Sequence, residues 1–196
     1  MPRRTQAERS AATTAELLAH ASTAFGNDGY DCVSVEAVAD AAGVTKGAVY
    51  HHFGGKRELF QAVYADAHHR IAARTTGAVA GEMTGWARLE AGTTAFLTAV
   101  ARPRLQRIVV VDGPRVLAPA VIREIEDRYA AGLLRQAFFR LREAGVLIPG
   151  DDVLRTRMVI GAICEAATAV AESSSPAEAL GAAHGEIRHL LRGLRA

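Results

Sequence analysis

Three observations predict an all-α fold. Segments rich in Ala, Leu, Arg and Glu repeat their apolar residues at helical spacing. Gly, Pro and Ser clusters separate those segments. No alternation of apolar and polar residues lasts long enough to build a sheet. The organisation expected is an N-terminal three-helix unit containing a helix-turn-helix, residues 1–55, then a larger helical domain, residues 56–196. About nine helices are expected, the one from Lys56 connecting the two parts.

The first helix is expected over roughly Ala11 to Phe25, with Leu17, Leu18, Ala21, Ala24 and Phe25 as its inner stripe. "GNDGYD" ends it with residues that tolerate a left-handed turn. Ser34 caps a short second helix, "VEAVADAA", with Val35, Val38 and Ala42 inward. Gly43 turns the chain and Thr45 caps a third short helix, Lys46 to Phe53, which Gly54 and Gly55 stop. The fourth starts at Lys56, lines one face with Leu59, Phe60, Val63 and Ala67, and reaches the Gly77–Gly81 region.

Prolines then mark helix starts, since Pro at the first helical position forfeits no hydrogen bond. Pro103 opens "PRLQRIVVV"; its β-prone "RIVVV" is too isolated to pair and reads as a buried helix. "VDGPRVL", Val111 to Leu117, reads as a structured turn. Pro119 opens a long helix that closes at Gly145. Asp151 or Asp152 caps the next, which runs to about Glu172. Ser175, Pro176 and Glu178 spell a capping box and start the last helix, Pro176 to about Arg195.

Of 196 residues, 49% are hydrophobic and 22% charged, enough for a core without disulfide staples. The basic, polar start does not read as a signal peptide. The longest apolar-rich run, Met158 to Ala171, is broken by Glu165 and is too short and polar to span a membrane, so a cytoplasmic location is expected. Glu165 itself reads as a buried acid paired with an Arg, the alternative being an anchor for a ligand. Cys32 and Cys164 read as reduced, partly buried thiols. Catalysis is not expected, nor any cofactor or metal. The pairs His51-His52 and His68-His69 are adjacent on helices and point about 100° apart, so neither chelates alone. No H-E-x-x-H, C-x-x-C or Gly-rich phosphate loop occurs.

The residues that carry function lie in "GVTKGAVYHHFGGKRELF", Gly43 to Phe60, which holds both lysines of the chain. Two short helices across a tight glycine turn make a helix-turn-helix. Steps of 100° place Val49 and Phe53 inward. Gly47 and His51 point away, with Lys46 and Tyr50 at the edge. That outer set suits a duplex. The helix N-terminus with the Thr45 hydroxyl offers donors to a phosphate. Lys46 reaches a base edge or a phosphate, Gly47 admits close approach, Tyr50 and His51 supply polar tips, and Lys56 clamps another phosphate. Arg3, Arg4 and Arg9 form an arm that adds minor-groove or backbone contacts. Residues 1–60 carry six basic and seven acidic side chains, so binding depends on where charge is placed. The residues alone leave open a helix-turn-helix used for protein contacts or for nonspecific DNA coating.

"SVEAVADAAGVTKGAVYHHFGGKRELF", Ser34 to Phe60, resembles the DNA-binding signature of the TetR family of bacterial one-component regulators. Thr45 stands where that family usually has Ser, and Gly54-Gly55 is a looser junction than usual. The resemblance implies DNA contacts at Ser34, Thr45, Lys46, Gly47, Ala48, Tyr50, His51, His52 and Lys56. Lys46, Ala48 and His51 would read bases; Ser34, Thr45, Tyr50, His52 and Lys56 would hold phosphates. It also implies a sequence-specific transcriptional regulator: a ligand-released homodimeric repressor on a pseudo-palindromic duplex operator, with an activator of the same fold as the alternative. The C-terminal domain would bind an unknown small-molecule effector and dimerise.

In that second part, Trp86, Phe96, Val100, Arg107, Ile108, Asp112, Tyr129, Leu133 and Gln136 combine apolar walls with sparse polar anchors, as a small-molecule pocket requires. The same pattern fits a plain core. In the last helix Leu180, Ala183, Ile187 and Leu191 form a seam at three-to-four spacing. The helix before it presents small residues, among them Ala162, Ala166 and Ala169. Two such helices from each chain would make a four-helix bundle about a two-fold axis.

Overall fold

The structure, a computed structural model, describes residues 5–81 and 84–196, apart from the side chains of residues 6, 7 and 9. The expected arm of Arg3, Arg4 and the Arg9 side chain lies outside the described residues. The architecture is all-α, as the periodicity predicts. The nearest approach to a strand among the described residues is one isolated bridge between Leu147 and Arg195.

Helix α1 runs Gln6–Asp28. It begins a turn earlier than its apolar stripe indicates, because Thr5 and Glu8 form a reciprocal capping box. Leu17, Ala21 and Phe25 are fully buried on its inner face. Helices α2 (Val35–Ala41) and α3 (Lys46–Phe53) follow, capped by Ser34 and Thr45. Gly43 takes φ 67° in the turn between them, where a side chain would be strained. Helix α4 (Lys56–Ala78) packs against α1 through Leu59, Phe60, Val63 and Ala67. Phe25, Tyr30 and Phe60 form a three-ring cluster with centroids 5.1–5.8 Å apart. It joins α1, the loop after it and α4, and each such ring pair stabilises by about 0.5–1.5 kcal/mol beyond its burial.

Helix α5 spans Gly85–Val100. Then α6 (Pro103–Gln106), a π-helical segment (Arg107–Asp112) and α7 (Gly113–Val116) form one helical run. "RIVVV" is thus helical with Ile108 and Val109 buried, but wound with an extra residue per turn. The turn expected over Val111 to Leu117 is instead mostly helix, because α7 continues the winding until Leu117 goes extended. Gly113 permits this: a Cβ there would meet the Tyr64 ring and sit 3.1 Å from the Ile108 carbonyl oxygen.

The single helix expected from Pro119 to Gly145 is two, α8 (Pro119–Arg128) and α9 (Ala130–Glu143). Tyr129 breaks it with φ −117° and ψ −104°, its ring set against His69 at 5.8 Å. Helix α10 (Asp152–Glu172) is capped by Asp151, whose carboxylate accepts from the Val153 and Leu154 amides. Helix α11 (Pro176–Arg192) has Pro at its first turn, but the Ser175 side chain makes no cap bond, so the expected capping box does not form. It ends at Arg192 because the last residues turn back, the Ile148 amide donating to the Leu194 carbonyl.

The apolar core is continuous from Leu17 to Leu191. Ile187 and Leu191 of α11 are buried within the chain, with Leu180 and Ala183 half-buried beside them. Glu165 is exposed, so the buried acid expected there is absent. The acid shielded against α10 is Glu126 of α8, whose carboxyl burial pushes up. Cys32 is exposed rather than partly buried; Cys164 is half-buried, and burial pushes its thiol up to about 12.

Candidate nucleic-acid interface and effector cavity

The helix-turn-helix presents one continuous outer face. Val49 is fully buried under it, and Phe53 is half-buried against the core. Thr45, Lys46, Gly47, Tyr50 and His51 are exposed, and Ala48 is half-exposed. Ser34 and Thr45 act as caps: their hydroxyl oxygens accept from the Ala37 amide at 3.0 Å and the Ala48 amide at 3.2 Å. A capping hydroxyl still has its own proton to donate, and the first α3 amides lie beside it, so both caps are equipped to hold a phosphate oxygen.

Three of the expected side chains carry partners that the sequence does not announce. Lys46 is ion-paired with Glu36 of α2. That bond holds the Glu36 carboxyl below its usual range and the Lys46 ammonium above its own. Lys56 lies over the Tyr30 ring, 4.4 Å from its centroid, and donates to the Asp31 carbonyl at 3.3 Å. The His52 Nδ1 is 3.0 Å from the Thr14 hydroxyl, which ties the recognition helix to α1. His52 therefore sits between the two helices, and His51 alone of the pair faces out.

The second feature is a cavity of about 720 Å³ between the C-terminal half of α4, α5, α9 and α10. Of the nine residues expected to line a pocket, Phe96, Leu133 and Gln136 do so. The other six have different surroundings. Val100 and Ile108 are packed into the core. The Trp86 indole donates to Glu90 at 2.9 Å under the Arg195 guanidinium. Tyr129 leans on His69. Arg107 covers Gly29 and donates to the Asn27 carbonyl, while Asp112 accepts from the Tyr30 amide at 2.9 Å. The cavity instead uses Thr75, Thr76, Arg88, Thr93 and Arg140. Thr75 and Thr76 fall in a polar helix end that periodicity assigns to solvent, and so carry no sequence signal.

Arg107 and Asp112 belong to a polar seam that fastens the π-helical run to the loop between α1 and α2. Arg104 donates to Asn27 at 2.8 Å, and Arg115 bridges Asp31 at 3.0 Å and Asp112 at 3.5 Å. The segment beside the cavity's helices is thereby bonded to the loop that carries Tyr30 and Lys56's carbonyl partner.

Two family models match this chain: "Bacterial regulatory proteins, tetR family" over residues 17–63, and "Tetracyclin repressor-like, C-terminal domain" over residues 86–194. The second alone spans more than half of the sequence. The chain belongs to the TetR family. It is a helix-turn-helix transcriptional regulator, a family of DNA-binding proteins and not of enzymes.

Among curated relatives, the Transposon Tn10 TetC protein of Escherichia coli is 28% identical over 152 residues, 76% of each chain. The regulator CymR of Pseudomonas putida is 38% identical over 78 residues, 40% of this chain and 38% of that one. A TetR-family regulator of known structure from Pectobacterium atrosepticum superposes with a TM-score of 0.79, at 28% identity and 98% coverage of both chains. Among the described residues no helix is long and apolar enough to cross a membrane.

Proposed function

We propose that this TetR-family protein is a homodimeric repressor that binds a pseudo-palindromic duplex operator and leaves it when a small molecule fills the cavity. The observation that carries the reading is the outer face of the helix-turn-helix. On this reading Lys46, Ala48 and His51 read base edges in a major groove, which their outward position supports. Ser34, Thr45, Tyr50 and Lys56 then hold phosphates on either side, and Gly47 lets the backbone come close. His52 acts by fixing α3 on α1. Residues 1–55 form the DNA-binding unit and residues 56–196 the effector and dimer unit. Repression is supported by the names of relatives, such as the repressor AcnR of Corynebacterium efficiens, 37% identical over 57 residues.

Dimerisation is assigned to the outer face of α10 and α11. The expected seam of Leu180, Ala183, Ile187 and Leu191 is spent on packing α11 within its own chain. The exposed residues are different ones: Leu154 (56% exposed), Met158 (67%) and Leu190 (58%). Antiparallel pairing of the two helices brings Leu190 to the level of Met158, with the exposed Ala169 further along α10 and Ala162 and Ala166 half-buried beside α11. An apolar face of this kind suits a second copy in a four-helix bundle.

Selection of bound sites from random duplex DNA at fixed near-physiological salt tests the reading. Expected is a two-fold-related motif with half-sites about 34–36 Å apart or slightly more. Enrichment of nothing, with steep salt dependence, would establish a nonspecific binder instead.

A further inference from the structure

We propose that residues 194–196 form a strap across the mouth of the cavity, and that a ligand enters and leaves when the strap detaches. This rests on the reading of the cavity as the effector site. The chain leaves α11 at Gly193 and runs back along the loop between α9 and α10. The Ile148 amide donates to the Leu194 carbonyl at 3.1 Å, and the Ala196 amide to the Val146 carbonyl at 2.9 Å. Leu147 and Arg195 thereby face each other as an antiparallel bridge. The Arg195 guanidinium lies over the Trp86 ring in the first turn of α5, 5.7 Å from its centroid. Residue 195 therefore ties the start of α5 to the loop after α9.

Those two segments are sides of the cavity's mouth. Its exposed lining residues include Gly81 and Thr84 before α5, and Arg140 and Ala144 at the end of α9. Gly85 and Leu89 line it on either side of Trp86 in sequence, and Val146 lines it from the loop. Each side keeps its own shape without the strap. The Val146 amide donates to the Leu141 carbonyl at 2.9 Å, Arg155 donates to the Ile148 carbonyl at 3.0 Å, and the Trp86 indole donates to Glu90. The strap itself is lightly held: by two backbone bonds, an exposed guanidinium on a ring, and the half-buried Leu194. A segment held by so few contacts opens locally, without unfolding the domain around it. A body that fills a cavity of about 720 Å³ needs a wide way in. Parting the packed helices around it would break many apolar contacts; lifting the strap breaks only these few.

Stopped-flow fluorescence of the full chain with two uncharged apolar probes, N-phenyl-1-naphthylamine and Nile red, tests this. Gly92→Leu identifies signal from the cavity: a Cβ there meets its nearest neighbours at an ordinary 3.7 Å, so the helix accommodates the change while the longer chain fills the space. Ala196→Pro removes the amide that donates to Val146, and Arg195→Ala removes the contact with Trp86. Together they are expected to speed both association and release about fivefold or more, as loss of one or two weak contacts gives. A lock tests the opposite direction. Residues that face each other in a bridge without mutual hydrogen bonds lie about 4.5 Å apart at Cα, within reach of a disulfide. Leu147→Cys with Arg195→Cys, oxidised in a Cys32→Ser background, should slow both rates about tenfold or more until the bond is reduced. The two opening variants leave Leu147 in place and decide the question by themselves if the locked pair fails to fold. Rates indifferent to the opening variants overturn the strap. Faster release with unchanged association also overturns it, because residues 194–196 are then part of the wall and not a barrier to entry. Probe exchange that the strap controls, but that does not weaken the selected operator complex, keeps the strap and sinks the effector reading. No signal sensitive to Gly92→Leu from folded, operator-competent protein overturns both.

Discussion

Glu36, on the first turn of α2, is ion-paired with Lys46, the first residue of the recognition helix α3. The pair crosses the outside of the helix-turn-helix, where both groups are half-exposed. The lysine assigned to the groove is thus held by a carboxylate of its own domain before DNA arrives. On the proposed reading, binding exchanges that partner for a base edge or a phosphate. Glu36→Gln is expected to tighten binding to random duplex and to reduce the preference for the selected operator over it, measured by fluorescence anisotropy at fixed salt. Unchanged affinity for both duplexes would show that Lys46 keeps Glu36 in the complex.

Lys56 and the outward residues of α3 should separate by the kind of loss they cause. Lys56→Ala is expected to weaken all duplexes about equally and to lower the salt slope by about one unit. Lys46→Ala and His51→Ala are expected to change which sequences are selected. If both leave the selected motif untouched, the base-reading face lies elsewhere.

Asp112 joins the π-helical run to the loop after α1, accepting from the Tyr30 amide while its side chain is nearly fully buried. Asp112→Ala leaves that amide without its acceptor and Arg115 with Asp31 alone. A loss of about 1–3 kcal/mol in unfolding free energy is expected in urea denaturation. The same variant should release the operator less completely at saturating effector, because the seam between the effector unit and the Tyr30 loop is cut. Full release with wild-type stability would remove Asp112 from that route.

The outer face of α10 and α11 gives a prediction on assembly. Met158→Glu and Leu190→Glu place charge on the exposed apolar patch without touching the chain's own core. Both are expected to shift sedimentation to monomer and to cost most of the operator affinity, since a palindrome read by one half gives up half its contacts. A variant that sediments as a dimer would move the interface off this face.

His68 is buried on α4 beside Tyr64, and neither ring nitrogen finds a hydrogen-bond partner among the described residues. Burial alone pushes it down from 6.5 to about 4. Between those values the unfolded chain takes up a proton that the folded one refuses, so stability falls as pH drops from about 6.5 toward 4 and levels off below. The loss over that window is about 3 kcal/mol at most. His68→Phe should flatten this part of the stability–pH curve, read by thermal unfolding across the window. An unchanged acid limb would mean that carboxylates, not His68, dominate it.

Local signals are strong wherever one residue type decides the outcome. Thr45 and Ser34 as caps, Gly43 in the turn, and Pro103, Pro119 and Pro176 at helix starts all act within a few residues of themselves. The same is true of the inward Val49 and outward His51, which follow from a 100° step. The outward face of α3 is therefore legible in the order of its residues. The break at Tyr129, the π-winding after Arg107 and the empty capping box at Ser175 are not, because each depends on a packing partner from far along the chain or on a choice between near-equal local geometries.

The amino-acid order by itself determined the all-α class and the helix-turn-helix, since those rest on periodicity, capping and turn chemistry, and its stretch from Ser34 to Phe60 carried the resemblance to the family. Tertiary structure alone decided which apolar residues face a cavity and which face a neighbour. Val100 and Phe96 belong to one helix and one hydrophobic class, yet only Phe96 lines the space. It likewise decided that Ile187 and Leu191 pack inward while Met158 and Leu190 stay exposed, and that Arg107 and Asp112 bond to α1 and the loop after it instead of lining the cavity. An apolar or charged side chain has no preference among partners of equal chemistry; the direction of its helix in the folded chain supplies the partner.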